Sequence, residues 1–157
     1  MILERTFDAS VQDVWDLWTT KKGIESWWGP DGFEVKVRRL ELREGGGMEY
    51  AMRAIGADQI DYMKKAGMPL ITVHQLAFTE VSAGTRLAYT TLADFIPGVE
   101  PYEIKTAIDF LATSDGARIV LTFDAMHDDR WTRLAVMGHE GELGRLAELL
   151  RHRSSTA

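Results

Sequence analysis

The sequence contains no cysteine. That excludes a disulfide framework, thiolate chemistry and zinc sites built on sulfur. No apolar stretch approaches ~20 residues, so no membrane span is expected. Lysine and arginine form no run, and the formal net charge is −6. A nucleic-acid binder needs a basic stripe that releases counterions from phosphates, and none is offered here. The tightest basic group is Arg151, His152 and Arg153 at the end of an expected helix, where it complements the helix dipole. The first residues, Met1 to Arg5, reach both signs of charge at once, unlike a signal peptide, so a cytoplasmic location is expected. Gly-x-Ser-x-Gly, HExxH, a Walker loop and a dinucleotide fingerprint are all missing. Gly45 to Gly47 precede a strand, so they present no helix N-terminus to phosphate. No spacing points to a cofactor or a metal. His127, Asp128 and Asp129 do cluster, but Asp128 or Asp129 as a helix N-cap is the more economical reading.

What is present suits an ordinary folded chain. Apolar residues make up 45% and charged residues 27% of 157 positions, which argues against disorder and for one domain spanning 1–157. Five Trp, seven Met, six Phe and four Tyr are available to line a core or a cavity.

The order of elements follows from periodicity. Ile2 to Phe7 reads as a strand, and Ser10 with Asp13 forms a capping-box signature. Val11, Val14, Trp15 and Trp18 then fall at helical spacing. A second short helix is expected from Thr20 to Trp28, stopped by Gly29-Pro30. The period next changes to two, with Phe33, Val35 and Val37 in one strand and Met48, Tyr50 and Met52 in its hairpin partner. A short helix is expected from Asp58 to Ala66. Strands follow over Thr72 to Val81, Thr85 to Leu92, Glu103 to Ala112 and Ala117 to Met126. A long helix from Asp129 to about Arg151 closes the chain. This order argues for an α+β fold with an antiparallel sheet.

Several local words strengthen that reading. They are Arg5-Thr-Phe-Asp8, Trp27-Trp28-Gly29-Pro30, Leu42-Arg43-Glu44-Gly45-Gly46, Thr85-Arg-Leu-Ala-Tyr-Thr90 and Leu143-Gly-Arg-Leu-Ala-Glu-Leu-Leu150. Their order resembles the START/Bet v 1-like (SRPBCC) helix-grip superfamily, and within it the branch homologous to the C-terminal domain of the Hsp90 ATPase activator Aha1. The resemblance implies a curved antiparallel sheet gripping a long C-terminal helix around a cavity for apolar molecules such as lipids. It also implies alternatives: regulation of a chaperone or another protein through a surface patch, with a role in the stress response, or cyclase- or hydrolase-like catalysis. Fold alone does not choose between them. Binding of a small hydrophobic or amphipathic ligand is the leading expectation; a protein partner or a second copy of the chain is the alternative.

On the last helix, Ala135, Leu143, Leu146 and Leu150 share one face, with Trp131 and Leu149 at its margin. His139 falls within that face and Glu142 lies close to it. Members of the resembled branch often carry Gly-Trp where this chain has Gly138-His139, and a small residue where Glu142 stands. His139 and Glu142 are therefore candidates for a polar end of the pocket, and the only candidates for acid–base work. Bonding to strand backbone, to water or to Arg145 is the plainer account of them. Further ligand-binding candidates are Trp28, Met48, Tyr50, Met52, Ile108, Phe110, Trp131, Ala135 and Leu143. Alternation cannot tell which strand faces are concave, because a one-residue slip inverts them. Gly138, Gly141 and Gly144 suggest close backbone approach, cavity space, a flexible lid or tolerated drift. Tyr62-Met63 could form a lid, though a solvated surface helix is the plainer expectation there.

Overall fold

In the computed structural model, which describes residues 1–155, strand β1 (Ile2–Phe7) leads into helix α1 (Val11–Thr19). The Ser10 hydroxyl accepts a hydrogen bond from the Asp13 backbone N–H at 3.1 Å. The same device opens α2 (Lys21–Trp27), where the Thr20 hydroxyl accepts from the Gly23 N–H at 3.0 Å. Each cap satisfies one of the backbone donors that a helix start leaves unpaired.

The other elements are β2 (Phe33–Leu40), β3 (Gly47–Ala54), α3 (Ala57–Lys65), β4 (Ile71–Ser82), β5 (Arg86–Ala93), β6 (Tyr102–Thr113), β7 (Gly116–Phe123) and α4 (Asp129–Ser155). The strands form one sheet in the order β1-β7-β6-β5-β4-β3-β2. All neighbouring pairs are antiparallel. Register shifts between Val37 and Arg39 and between Phe78 and Glu80 add local bend and twist, which curves the sheet. The result is the α+β helix-grip architecture, with α4 packed in the concave face.

Two boundaries differ by three residues or more from the periodicity reading: α4 runs to Ser155 instead of about Arg151, and β7 is shorter. β7 ends at Phe123, three residues before Met126. There the Asp124 carboxylate accepts from the Lys105 N–H at 2.9 Å, closing the ladder so that the chain can turn toward α4. The start of α4 is set by Asp128, whose carboxylate accepts from the Trp131 N–H at 2.8 Å. This is the N-cap role expected of the acidic pair.

The inner face of the sheet presents Leu76, Phe78, Leu87, Ile108, Phe110, Ile119 and Leu121, all buried. Leu143, Leu146 and Leu150 of α4 pack on them, and α1 and α2 close one end with Trp15, Trp18, Ile24 and Trp27. A continuous series of ring contacts runs Trp15–Phe110–Trp18–Trp27–Trp28–Tyr50–His74, with centroids 4.6–6.2 Å apart. Most of these pairs meet edge to face, the arrangement that ring quadrupoles favour.

The glycines of α4 do not mark a close approach. Gly138 and Gly144 are exposed, and a Cβ added to either would meet nothing within 4 Å. Gly141 has only the Arg145 guanidinium near, at 3.7 Å. Glycine in a helix interior costs roughly 0.5–1 kcal/mol relative to alanine. Gly138→Ala and Gly144→Ala are therefore each expected to stabilise the fold by about that amount, raising Tm by roughly 1–4 °C. Differential scanning calorimetry checks this, and a lowered Tm in either variant would contradict the open space seen at these positions.

Candidate functional site

The site is built where the end of α2 meets α4. Trp28 follows the last residue of α2 in an extended conformation, its N–H still bonded to the Ile24 carbonyl at 3.0 Å. Gly29 then takes φ +90°, and a Cβ there would come within 2.9 Å of Val35. This turn needs glycine both for its dihedral and for space. It swings the Trp28 ring back against Trp27 on one side and Tyr50 on the other.

Trp18, Trp27 and Trp28 wall one side of a small cavity, with Tyr89 of β5 and Leu121 of β7 as its floor. His139, Glu142 and Leu143 of α4 cover it. Its volume is about 10 Å³, room for roughly one water molecule. That is far below the 300–1,000 Å³ typical of a pocket enclosing a drug-sized ligand. In this conformation the aromatic side chains occupy most of the space that a larger cavity would take.

Three polar groups, the Tyr89 hydroxyl, the Glu142 carboxylate and the His139 ring, face this space with no hydrogen bond or ion pair to another described residue. His139 instead packs its ring on Phe123, centroids 4.4 Å apart. Among the described residues, neither His139 nor Glu142 bonds to strand backbone or to Arg145. The Arg145 guanidinium is turned elsewhere, toward the Trp27 carbonyl at 3.4 Å and Asp31 at 3.7 Å.

Burial sets the protonation of these groups. It pushes the Glu142 carboxyl up to about 7, only partly offset by the positive charge of Arg145. Burial lowers the His139 imidazole, which favours the neutral ring. The Tyr89 phenol is raised, first by burial and then by the charge of Glu142. Tyr50, raised mainly by burial, also senses Glu142, while the Trp28 indole offers its hydroxyl a hydrogen bond. A carboxyl removed from water this far favours its neutral form.

Of the residues expected at a pocket, Trp28, His139, Glu142 and Leu143 are brought together around this cavity. Met48, Ile108 and Phe110 do face inward, but they are buried in the continuous core beneath the helices. Tyr50 touches Trp28, and Met52 lies beside Gly29, so both sit behind the tryptophan instead of lining the space. Ala135 and Trp131 lie one and two turns before His139 on α4. Trp131 meets Phe95, with ring centroids 5.9 Å apart. Trp18 and Trp27, which helical spacing assigns to the core, are both core and wall. Tyr89 and Leu121 were not anticipated. The signal for Tyr89 lay in the alternation Leu87, Tyr89, Thr91, which puts a phenol on the same face as the buried Leu87.

Known structures place this fold among relatives. A protein of Chromobacterium violaceum is 21% identical, with 96% of each chain covered and a TM-score of 0.76. An AHSA1-like protein of Aeromonas hydrophila is 20% identical over 98% of this chain and 93% of its own, with a TM-score of 0.74. A Staphylococcus epidermidis protein gives the same TM-score at 19% identity, covering 98% of this chain and 90% of its own. At such identities the likeness speaks for the fold. No curated protein matches the chain. The family model for Activator of Hsp90 ATPase homolog 1-like protein matches residues 8–151, and with nearly the whole sequence covered, the chain belongs to that family.

Proposed function

We propose that the protein binds a small amphipathic molecule between α4 and the sheet, as a carrier or sensor. Its polar group would meet Tyr89, His139 and Glu142. One observation supports this reading: three polar side chains face a tryptophan-walled cavity with no hydrogen bond or ion pair to another described residue. Among the described residues no fully buried side-chain nitrogen or oxygen lacks a partner, so these polar atoms keep access to water in the free protein. A ligand's polar group would take the place of that water at a net gain of roughly 0.5–1.5 kcal/mol per hydrogen bond, and side-chain movement would supply the extra volume.

Native mass spectrometry of gently purified protein tests the reading. A small-molecule companion is expected on the wild-type chain and not on His139→Trp, whose indole would fill the polar end. The companion should also raise Tm by mass action when added back. A companion retained by His139→Trp would overturn the proposal. So would the absence of both a companion and any Tm increase across a panel of amphiphiles. Weight would then move to regulation of a protein partner, for which the exposed Ile71, Val73 and Leu92 on the convex face offer an apolar surface.

A further inference from the structure

The cavity's walls say more about the chemistry of the occupant. Trp18 and Trp27 meet at 68° with centroids 4.6 Å apart, and Trp27 and Trp28 at 65° and 5.3 Å. Rings set steeply to one another make the adjoining sides of a box. Tyr89, only 7% exposed, adds a fourth ring to the same space.

One of the three indole N–H groups is committed elsewhere. Trp27 donates to the Leu17 carbonyl at 2.8 Å, so it offers the cavity its apolar ring and not its donor. Trp28 packs edge-on to Tyr50, with ring centroids 6.2 Å apart. The one carboxylate lining the space, Glu142, has no hydrogen bond or ion pair among the described residues, and only the more distant charge of Arg145 reaches it. The nearest guanidinium, Arg145, is held by the Trp27 carbonyl and Asp31. His139, half-buried against Phe123, favours its neutral ring and brings no fixed positive charge.

Aromatic faces with a lone carboxylate attract one kind of group. Ring quadrupoles favour a cation within about 6 Å of the centroid, more strongly when water is excluded, and a carboxylate completes the counter-charge. An anion would meet Glu142 directly and gain little from the rings. We infer that, if the cavity binds a ligand as proposed above, the group it accepts is a small organic ammonium, protonated or methylated, held by Trp18, Trp27, Trp28 and Tyr89 and neutralised by Glu142. The present volume of about 10 Å³ limits the head group to a compact one and requires the rings to part for a methylated nitrogen.

The test compares charge at constant shape. Choline and its neutral carbon isostere, 3,3-dimethylbutan-1-ol, are titrated at pH 8 into wild-type protein and Glu142→Gln, following the tryptophan indole resonances by NMR. Butyrate serves as the anion. Choline is expected to shift the indole resonances with a Kd on the order of 1 mM, and the alcohol to bind about tenfold more weakly or not at all. Glu142→Gln should weaken choline by about tenfold, the effect expected for losing a charged partner, while leaving the alcohol nearly unchanged. If the alcohol or butyrate binds as well as choline, the ammonium assignment falls and the ligand-binding reading stands. If none of the three moves the indole resonances, the assignment and the cavity reading fall together.

Discussion

Replacing Trp27 with alanine should destabilise the protein by roughly 3–5 kcal/mol, the range for deleting a large buried aromatic side chain. Trp27 is 4% exposed and packs edge-on to both Trp18 and Trp28. Its removal would open a void where α1, α2 and α4 meet. Since domains of this size lose roughly 2–4 °C per kcal/mol, Tm should fall by about 10 °C. Trp27→Phe separates packing from hydrogen bonding. The phenyl ring keeps most of the apolar volume but leaves the Leu17 carbonyl, now bonded to the indole N–H at 2.8 Å, without that donor. An intermediate loss of about 1–3 kcal/mol is expected for this variant. Urea unfolding measures both, and equal losses would show that the hydrogen bond contributes nothing.

Glu142→Gln should raise stability by no more than about 1 kcal/mol at pH 5 and by up to about 3 kcal/mol at pH 8. The sign follows from the direction of the shift. The folded-state carboxyl is pushed up to about 7 against an ordinary value of 4.5, so the native state holds its proton more tightly than the unfolded chain does. Below the ordinary value both states are protonated and the residue is neutral in effect. Between the two values stability declines as pH rises, and above about 7 the full penalty of a desolvated carboxylate is present. Glutamine keeps the shape and never ionises, so its advantage grows toward the alkaline side. Parallel urea titrations of both chains at pH 5 and pH 8 check this. A variant whose advantage is the same at both pH values would show that Glu142 is not desolvated in the folded state.

How far the sequence carried these conclusions depends on the length scale of each signal. The Ser10 cap, the Gly29-Pro30 stop and the alternation in β2 and β3 are local, and each element formed within a few residues of its expected bounds. The helical wheel of α4 likewise put His139, Glu142 and Leu143 on the inward face. Depth was another matter. Ile108 and Phe110 point toward the concave side, yet α1 covers them: Trp15 and Trp18 both lie against Phe110, with ring centroids 5.1 and 5.6 Å away. Alternation reports the face of a strand, not what covers it. Trp131 and Ala135 share the face of His139 but lie nearer the start of α4, and a wheel projection discards position along the axis. Tyr89 and Leu121 reach the cavity through the register of β5, β6 and β7, in which Tyr89 pairs with Thr106 and Leu121 with Ile108. Cross-strand register is a long-range property that one strand's pattern does not contain.

The open sheet leaves two strands with one unpaired side, β1 and β2. Such edges can recruit strands from other molecules and seed aggregation. The β2 edge carries Glu34, Lys36, Arg38 and Arg39, and its register breaks between Val37 and Arg39. A second molecule docking there would have to bury those charges and match an irregular ladder. The β1 edge is only six residues long and places Glu4 and Arg5 in its middle. The irregularity that helps curve the sheet around α4 thus also acts against edge-to-edge polymerisation, without the sheet having to close into a barrel.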